Sequence, residues 1–335
     1  MSNCGDGLTL SVVVPSYRRP KPLLKCLVGL QEGVRLPDQV VVVLREIDQA
    51  SQRLVGQWCA ANELGQRVDV ALVTEPGQIK AMNRGLDAAT GDVVCFTDDD
   101  CVPRPQWLQQ LASHYANPTV GGVGGRDVVH HGDQQVPTRH CAVGKITWAG
   151  KIIGNHHCAA ISEPIEVDHL KGANMSFRQA LLTGFDENLA GGSSCLNDTE
   201  ASLSVTRRGF RLVYDPEAIV DHYPAQRFDE STRQLNSLAL VSSDSHNWVY
   251  CMLKHLTGLR KIAFVASAFL VGMGNRYGLI KYLVSLPRGP IAATRLFAAS
   301  TAGKLKGLRT YRTAKRVTRE SRTNKRRSGQ TDETT

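Results

Sequence analysis

The chain predicts an α/β fold, a mostly parallel central sheet flanked by helices, with a helical, basic C-terminal appendage. Three observations predict it. Short β-branched runs recur without polar alternation, helical apolar patterns separate them, and the charge of the chain changes sign near residue 244. Runs of that kind read as parallel strands covered on both faces, and their alternation with helices gives a Rossmann-like sheet.

The first strand is Leu10-Ser11-Val12-Val13-Val14, stopped by Pro15. After Pro20, Leu23, Leu24, Leu27 and Leu30 recur at helical spacing. Val40 to Leu44 forms the second strand, Leu54, Val55, Trp58 and Cys59 mark a second helix, and Val68 to Val73 is a third, less pure strand. Ile79, Met82, Leu86 and Ala89 form a third helical set ending at Gly91, a good helix stop. Val93 to Thr97 is the fourth strand, and it runs out into Asp98-Asp99-Asp100.

Three adjacent carboxylates repel one another, so a fold that holds them at a cleft calls for a cation there. Oxygen ligands favour a hard ion, Mg²⁺ or Mn²⁺, of the kind that bridges a carboxylate to a substrate diphosphate. A solvated acidic turn is the plainer reading. The position argues against it, because ligands of open α/β sheets bind beyond the carboxyl ends of the strands.

The segments Val13-Val14-Pro15-Ser16-Tyr17, Gly77-Gln78 with Ala81 to Leu86, and Gly91-Asp92-Val93-Val94 before the aspartates resemble family 2 glycosyltransferases with the GT-A fold. Gly172 to Arg178, Gly184-Phe185-Asp186-Glu187, Asp198-Thr199-Glu200, Arg208 to Pro216 and Asp221-His222 continue the resemblance in the family's motif order. It covers residues 8–228, the expected catalytic domain. The resemblance implies inverting transfer of a sugar from a nucleotide-diphosphate sugar donor to an acceptor hydroxyl. It implies Asp98, Asp100 and His222 as metal ligands, with Asp98 also serving the donor ribose, Asp99 turned into the fold, and Asp198 as the base.

A carboxylate ionised at neutral pH can accept the acceptor's proton. Asn197 stands where the family has Glu, and Ser204 where members often have Arg, so Asp198 is the sole candidate base. Asp198 also reads as the N-cap of a helix through Thr206, and His222 as a structural histidine. The donor nucleotide is expected against Pro15, Tyr17 and Asp48, with Arg84 or Lys80 near the diphosphate. Asp48 reads equally as a helix cap. Asn174 and Asn197 are expected on the acceptor side.

Gly121-Gly122-Val123-Gly124-Gly125 lacks the lysine of a phosphate loop and reads as a turn into a further strand. His130-His131, His140-Cys141 and His156-His157-Cys158 fit no zinc spacing. Nine cysteines without a regular framework suggest a reducing compartment, and the start of the chain shows no signal sequence.

Residues 1–244 carry 22 Lys and Arg against 28 Asp and Glu, a net −6, whereas residues 245–335 carry 18 against 3, a net +15. The apolar stretches Ile262 to Met273 and Tyr277 to Leu286 are too short to cross a bilayer, which takes about 20 residues. Residues 229–300 are therefore expected to be helical and to lie against an anionic membrane surface, with packing on the catalytic domain as the alternative. Residues 301–335 are expected to be a disordered basic tail. Nucleic acid is not expected as a partner, because aromatic residues do not interleave with the basic tail. The expectation is a peripheral protein on the inner, cytoplasmic face of the cell membrane, acting on a glycan or lipid-linked acceptor. A metal-dependent sugar nucleotidyltransferase and an inactive membrane adaptor on the same fold are the alternatives.

Overall fold

The computed structural model describes residues 7–131, 134–135, 142–189, 196–226, 228 and 237–328. The chain divides into two compact units, one of Met1–Thr147, Lys151–Glu187 and Asn197–Ser231, the other of Trp148–Gly150, Asn188–Leu196 and Thr232–Thr335.

The first unit begins with the predicted alternation: β1 (Leu10–Ser16), α1 (Pro20–Gln31), β2 (Gln39–Arg45), α2 (Gln49–Ala61), β3 (Val68–Val73), α3 (Gln78–Ala88) and β4 (Val93–Thr97). It continues through β5 (Cys101–Pro103), α4 (Trp107–Ser113), β6 (Val120–His131), β7 (Gln134–Gln135), β8 (Lys145–Ile146), β9 (Ile152–Ile153), β10 (Ile165–Val167), β11 (Asn174–Arg178), α5 (Asn197–Thr206) and β12 (Arg211–His222). The main sheet runs β10-β12-β6-β11-β4-β1-β2-β3, with β5 added on β12 and β7 on β6.

Strands β3, β2, β1 and β4 are parallel, as their unbroken valine runs predict. The rest of the sheet is mixed: β11 is antiparallel to both β4 and β6, and β12 is parallel to β6. Every residue of β4 is buried, as are Val12 to Val14 and Val40 to Leu44. Each such side chain contributes about 1.5–3 kcal/mol. β3 lies at the sheet edge with half its residues exposed, which explains its less apolar sequence.

The glycine run is not a turn. It forms the first half of β6, where a Cβ at Gly125 would overlap the Ala218 carbonyl of β12. The glycines let neighbouring strands and side chains close onto β6, so this is a packing requirement and not a loop signal.

The second unit holds α6 (Ser237–His255), α7 (Gly258–Leu270), a hairpin of β13 (Gly272–Met273) and β14 (Arg276–Tyr277), α8 (Leu279–Ser285) and α9 (Pro290–Ser328). Residues 301–328, expected as a disordered tail, instead continue α9, so the boundary expected at 300 falls inside a helix. The physical reason lies in its seam with α6. Side chains at Gly303 and Gly307 would collide with the backbone at Ser242 and His246, so their absence lets the helices close. Ser245 and Ser300 hydroxyls then bond at 3.0 Å, and His246 Nε2 bonds Thr310 Oγ1 at 3.0 Å. Among the described residues no helix is long and apolar enough to cross a membrane.

Candidate active site

The acidic triplet leaves β4 beside the end of β1, because the two strands pair in register from Leu10↔Val93 to Val13↔Phe96. β5 follows at once and pairs with β12 so that His222 lies across from Cys101. Two distant segments thereby meet. Ligand atoms of Asp98, Asp100, Cys101 and His222 all lie within 4.8 Å of one another, and no other such group occurs among the described residues. His222 Nε2 is 3.5 Å from Asp100 Oδ1. The other oxygen of Asp100 accepts from Arg19 Nη1 (2.9 Å) and the Ala225 amide (3.0 Å), leaving Oδ1 on the histidine side.

These side chains fit a divalent ion. Cys101 belongs to the apolar core and is fully buried, so the accessible donor set is two carboxylates and one imidazole, suited to Mn²⁺ or Mg²⁺. Asp99 is fully buried and turned to Arg19 Nη2 at 2.5 Å. Burial pushes its carboxyl up to about 7, against the pull of the Arg19 guanidinium.

His222 Nδ1 stands 3.2 Å from Asp127, whose carboxylate also pairs with Lys171. Burial lowers the Lys171 ammonium, while the nearby carboxylates of Asp98 and Asp198 hold it up. Lys171 thus lies in the electrostatic reach of both the acidic corner and Asp198. Asp198 is half-buried in the first turn of α5. Its Oδ1 accepts from the Thr199 amide (2.7 Å) and its Oδ2 from the Gly172 amide (3.1 Å). The helix begins two residues earlier than a cap at Asp198 requires.

A cleft opens from this corner. Its lining includes Pro15 near the end of β1, Tyr17 and Arg19 just beyond it, Arg45 at the end of β2, Gly77 and Gln78 at the start of α3, and Phe228. Asp98 and Asp100 form one wall. The Tyr17 ring lies 5.3 Å from the Arg45 guanidinium and 5.1 Å from that of Arg18. Such an aromatic face beside cations suits a nucleotide base and its phosphates.

Residues 7–237 match the family described as "Glycosyltransferase like family 2". The chain belongs to this family. Its curated relatives include a pre-mycofactocin glycosyltransferase of Mycobacterium tuberculosis, 29% identical over 165 residues, which are 48% of this chain and 33% of that protein. They include the amylovoran biosynthesis glycosyltransferase AmsB of Erwinia amylovora, 32% identical over 108 residues, 32% of this chain and 35% of that one. The chain spans about a third of the length of the curated relatives it matches. The mannosyltransferase PcManGT of Pyrobaculum calidifontis, solved with GDP-Man and Mn²⁺, superposes with a TM-score of 0.55 at 18% identity, covering 91% of this chain and 87% of that one. GalNAc-T7, solved with UDP, GalNAc and Mn²⁺, gives 0.58 at 16% identity over 78% of this chain and 50% of that one. The fold is GT-A.

Against the family 2 expectations, Pro15, Tyr17, Asp98, Asp100 and His222 come together at one cleft corner, with Asp198 in reach of the same lysine. Four expected site residues, together with the alternative Lys80, are instead taken up by the fold. Asn174 does not face an acceptor: it is fully buried, accepts from Trp107 Nε1 (2.8 Å) and donates to the Arg126 and Ala218 carbonyls. Asp48 is buried as the cap of α2, its oxygens taken by the Arg18 amide and by the amide and hydroxyl of Ser51. Arg84 is turned to the Leu72 carbonyl on β3, and Lys80 pairs with Glu75 and Glu187. Asn197 is buried with its amide on Met82 Sδ, so it too is packed into the fold. Ser204 donates to Glu200.

Sequence reasoning missed Arg19, Arg45, Asp127, Lys171 and Phe228. Arg19 carries a signal, since it follows the Pro15-Ser16-Tyr17 motif at the end of a strand. Asp127 does not, because only strand register brings it to His222. Of the rejected zinc candidates, His130 bonds Asp221 at 2.8 Å, and His156 is buried against His169 and Tyr214. His140 and Cys141 lie outside the described residues.

Proposed function

We propose that this chain is an inverting glycosyltransferase that moves a sugar from a nucleotide-diphosphate donor to the hydroxyl of a glycan or lipid-linked acceptor at the inner face of a membrane. The observation that carries the reading is the Asp98, Asp100 and His222 donor set opening on a cleft while Asp198 shares the field of Lys171.

Asp98, Asp100 and His222 would hold Mn²⁺ or Mg²⁺. When bound, such an ion offsets the charge that develops on a departing nucleoside diphosphate. Tyr17 and Arg45 seat the nucleotide across the ends of β1 and β2. Asp198, oriented by the Thr199 and Gly172 amides, takes the acceptor proton as the hydroxyl oxygen attacks the anomeric carbon from the face opposite the diphosphate. Neither bond uses the oxygen lone pairs completely, so the carboxylate keeps room for a proton.

Manganese and nucleotides in the PcManGT and GalNAc-T7 structures support the donor class and the ion. The basic, apolar second unit supports an acceptor met at a membrane.

Incubation with UDP- and GDP-sugars plus Mn²⁺ tests the reading. Release of nucleoside diphosphate, abolished by EDTA, is the expected result. Release of pyrophosphate from sugar phosphate and nucleoside triphosphate would instead identify a nucleotidyltransferase. Absence of any turnover with Mn²⁺-dependent donor binding intact would identify an adaptor.

A further inference from the structure

The outward face of α7 has the wrong polarity for a surface that meets only water. Leu259, Ile262 and Leu270 are 74%, 67% and 51% exposed, and with Ala266 they recur at spacings of three and four residues, along one stripe of the helix. Phe264 and Ala268, on the opposite side, are fully buried. The helix is therefore apolar on both sides, although only one side meets the fold. α8 repeats the pattern. Its exposed positions are Leu279, Ile280, Leu283 and Val284, all apolar and between 44% and 60% exposed. Such density of exposed aliphatic side chains marks an interaction surface.

Charge decides the occupant. No Asp or Glu occurs between Asp244 and Glu320, whereas Arg260, Lys261, Lys281 and Arg288 flank the two apolar stripes in sequence. A second copy of this chain would bring like charges together across the contact. A surface that is both apolar and negative satisfies both features, and that is the headgroup boundary of an anionic leaflet. At 13 residues α7 is about 20 Å long, short of the roughly 30 Å hydrocarbon layer, so it would lie in the plane of the interface.

We infer that the exposed stripes of α7 and α8 form an in-plane membrane-insertion surface, with their aliphatic side chains among the acyl-chain ends and Arg260 and Arg288 at anionic headgroups, whereas Lys261 and Lys281 are held within the unit by Tyr311 and by the Gly274 carbonyl. This specifies the membrane contact of the proposed function, and it rests on that reading only for its purpose, since lipid binding needs no sugar transfer.

Flotation of the full chain with vesicles tests it, using phosphatidylcholine alone or with about one-third phosphatidylglycerol. The unmodified chain is expected to float with the anionic vesicles. The double substitution Ile262→Asp/Leu283→Asp is expected to weaken this at least tenfold, and Arg260→Glu/Arg288→Glu to abolish the preference for phosphatidylglycerol. Ile47→Asp, exposed in the first unit, is expected to change nothing. The milder Ile262→Ser/Leu283→Ser, with melting temperature measured beside it, guards against misfolding of the double aspartate.

Three results would overturn the inference: no flotation of the unmodified chain, flotation of the aspartate variant equal to it, or a dimer in solution that the aspartate variant dissolves. Donor turnover in the same samples separates the two readings. Turnover without flotation removes the membrane surface and leaves the transferase, and flotation without turnover does the reverse.

Discussion

His222 and Asp127 lie on one face of the β6–β12 pair, with Nδ1 of the imidazole 3.2 Å from the carboxylate. The register explains it. Asp127 is the partner of Val220, and His222, two residues on, returns to the same face. With Nδ1 held there, the other ring nitrogen is aimed at Asp100. A carboxylate behind a histidine fixes its ring and raises its basicity as a ligand.

Asp127→Asn is therefore expected to raise the half-saturating Mn²⁺ concentration about 10- to 100-fold. Titration of Mn²⁺ binding on the full chain checks it. A merely structural role for Asp127 would lower the melting temperature and leave that titration where it was.

The parallel half of the fold was legible because each of its strands is a valine run and each crossover carries a helical stripe. The acidic corner was legible because it ends such a strand. Asn174 misled because a polar residue in a motif looks the same whether it faces a ligand or supports Trp107. Asp127 and Lys171 were invisible for a different reason. The role of Asp127 arises from pairing between strands some 90 residues apart, and that of Lys171 from its ion pair to Asp127 across 44 residues of chain, neither of which a local pattern encodes. The glycine run pointed to a loop, although close packing on β6 explains it.

Asp198→Asn is expected to reduce transfer by about 10²- to 10⁴-fold, the usual contribution of a positioned base. The amide keeps the size of the side chain and can still accept from the Thr199 or Gly172 amide through its oxygen, so donor and Mn²⁺ binding should remain within about twofold. Comparison of turnover with calorimetric donor binding checks it. Loss of donor binding to the same degree would remove Asp198 from the base role.

Asn174→Ala should act on stability. It leaves the Trp107 indole N–H without its acceptor and takes one donor each from the Arg126 and Ala218 carbonyls, a loss of about 2–4 kcal/mol. The melting temperature of the full chain should fall, with the acceptor KM unchanged in whatever fraction stays folded. A raised acceptor KM at an unchanged melting temperature would restore the acceptor-side assignment.

Lys304 gives the second unit a pH dependence of the same sense as acid denaturation, but displaced to the alkaline range. Its side chain is 1% exposed and donates to the Ala268 carbonyl at 2.6 Å and the Tyr277 carbonyl at 2.5 Å. Burial, aided by the Arg276 charge, pulls its pKa down to about 8, well under the value of a lysine in the unfolded chain. Below pH 8 both states carry the proton, and the folded state bears the cost of the buried charge. Between the two pKa values the unfolded state binds one more proton, so stability rises with pH and then levels off. Thermal unfolding of the full chain from pH 7.5 to about 10 should therefore show a contribution, absent in Lys304→Met, that raises stability with pH. Parallel curves for the two proteins would mean that the Lys304 ammonium is as well solvated folded as unfolded.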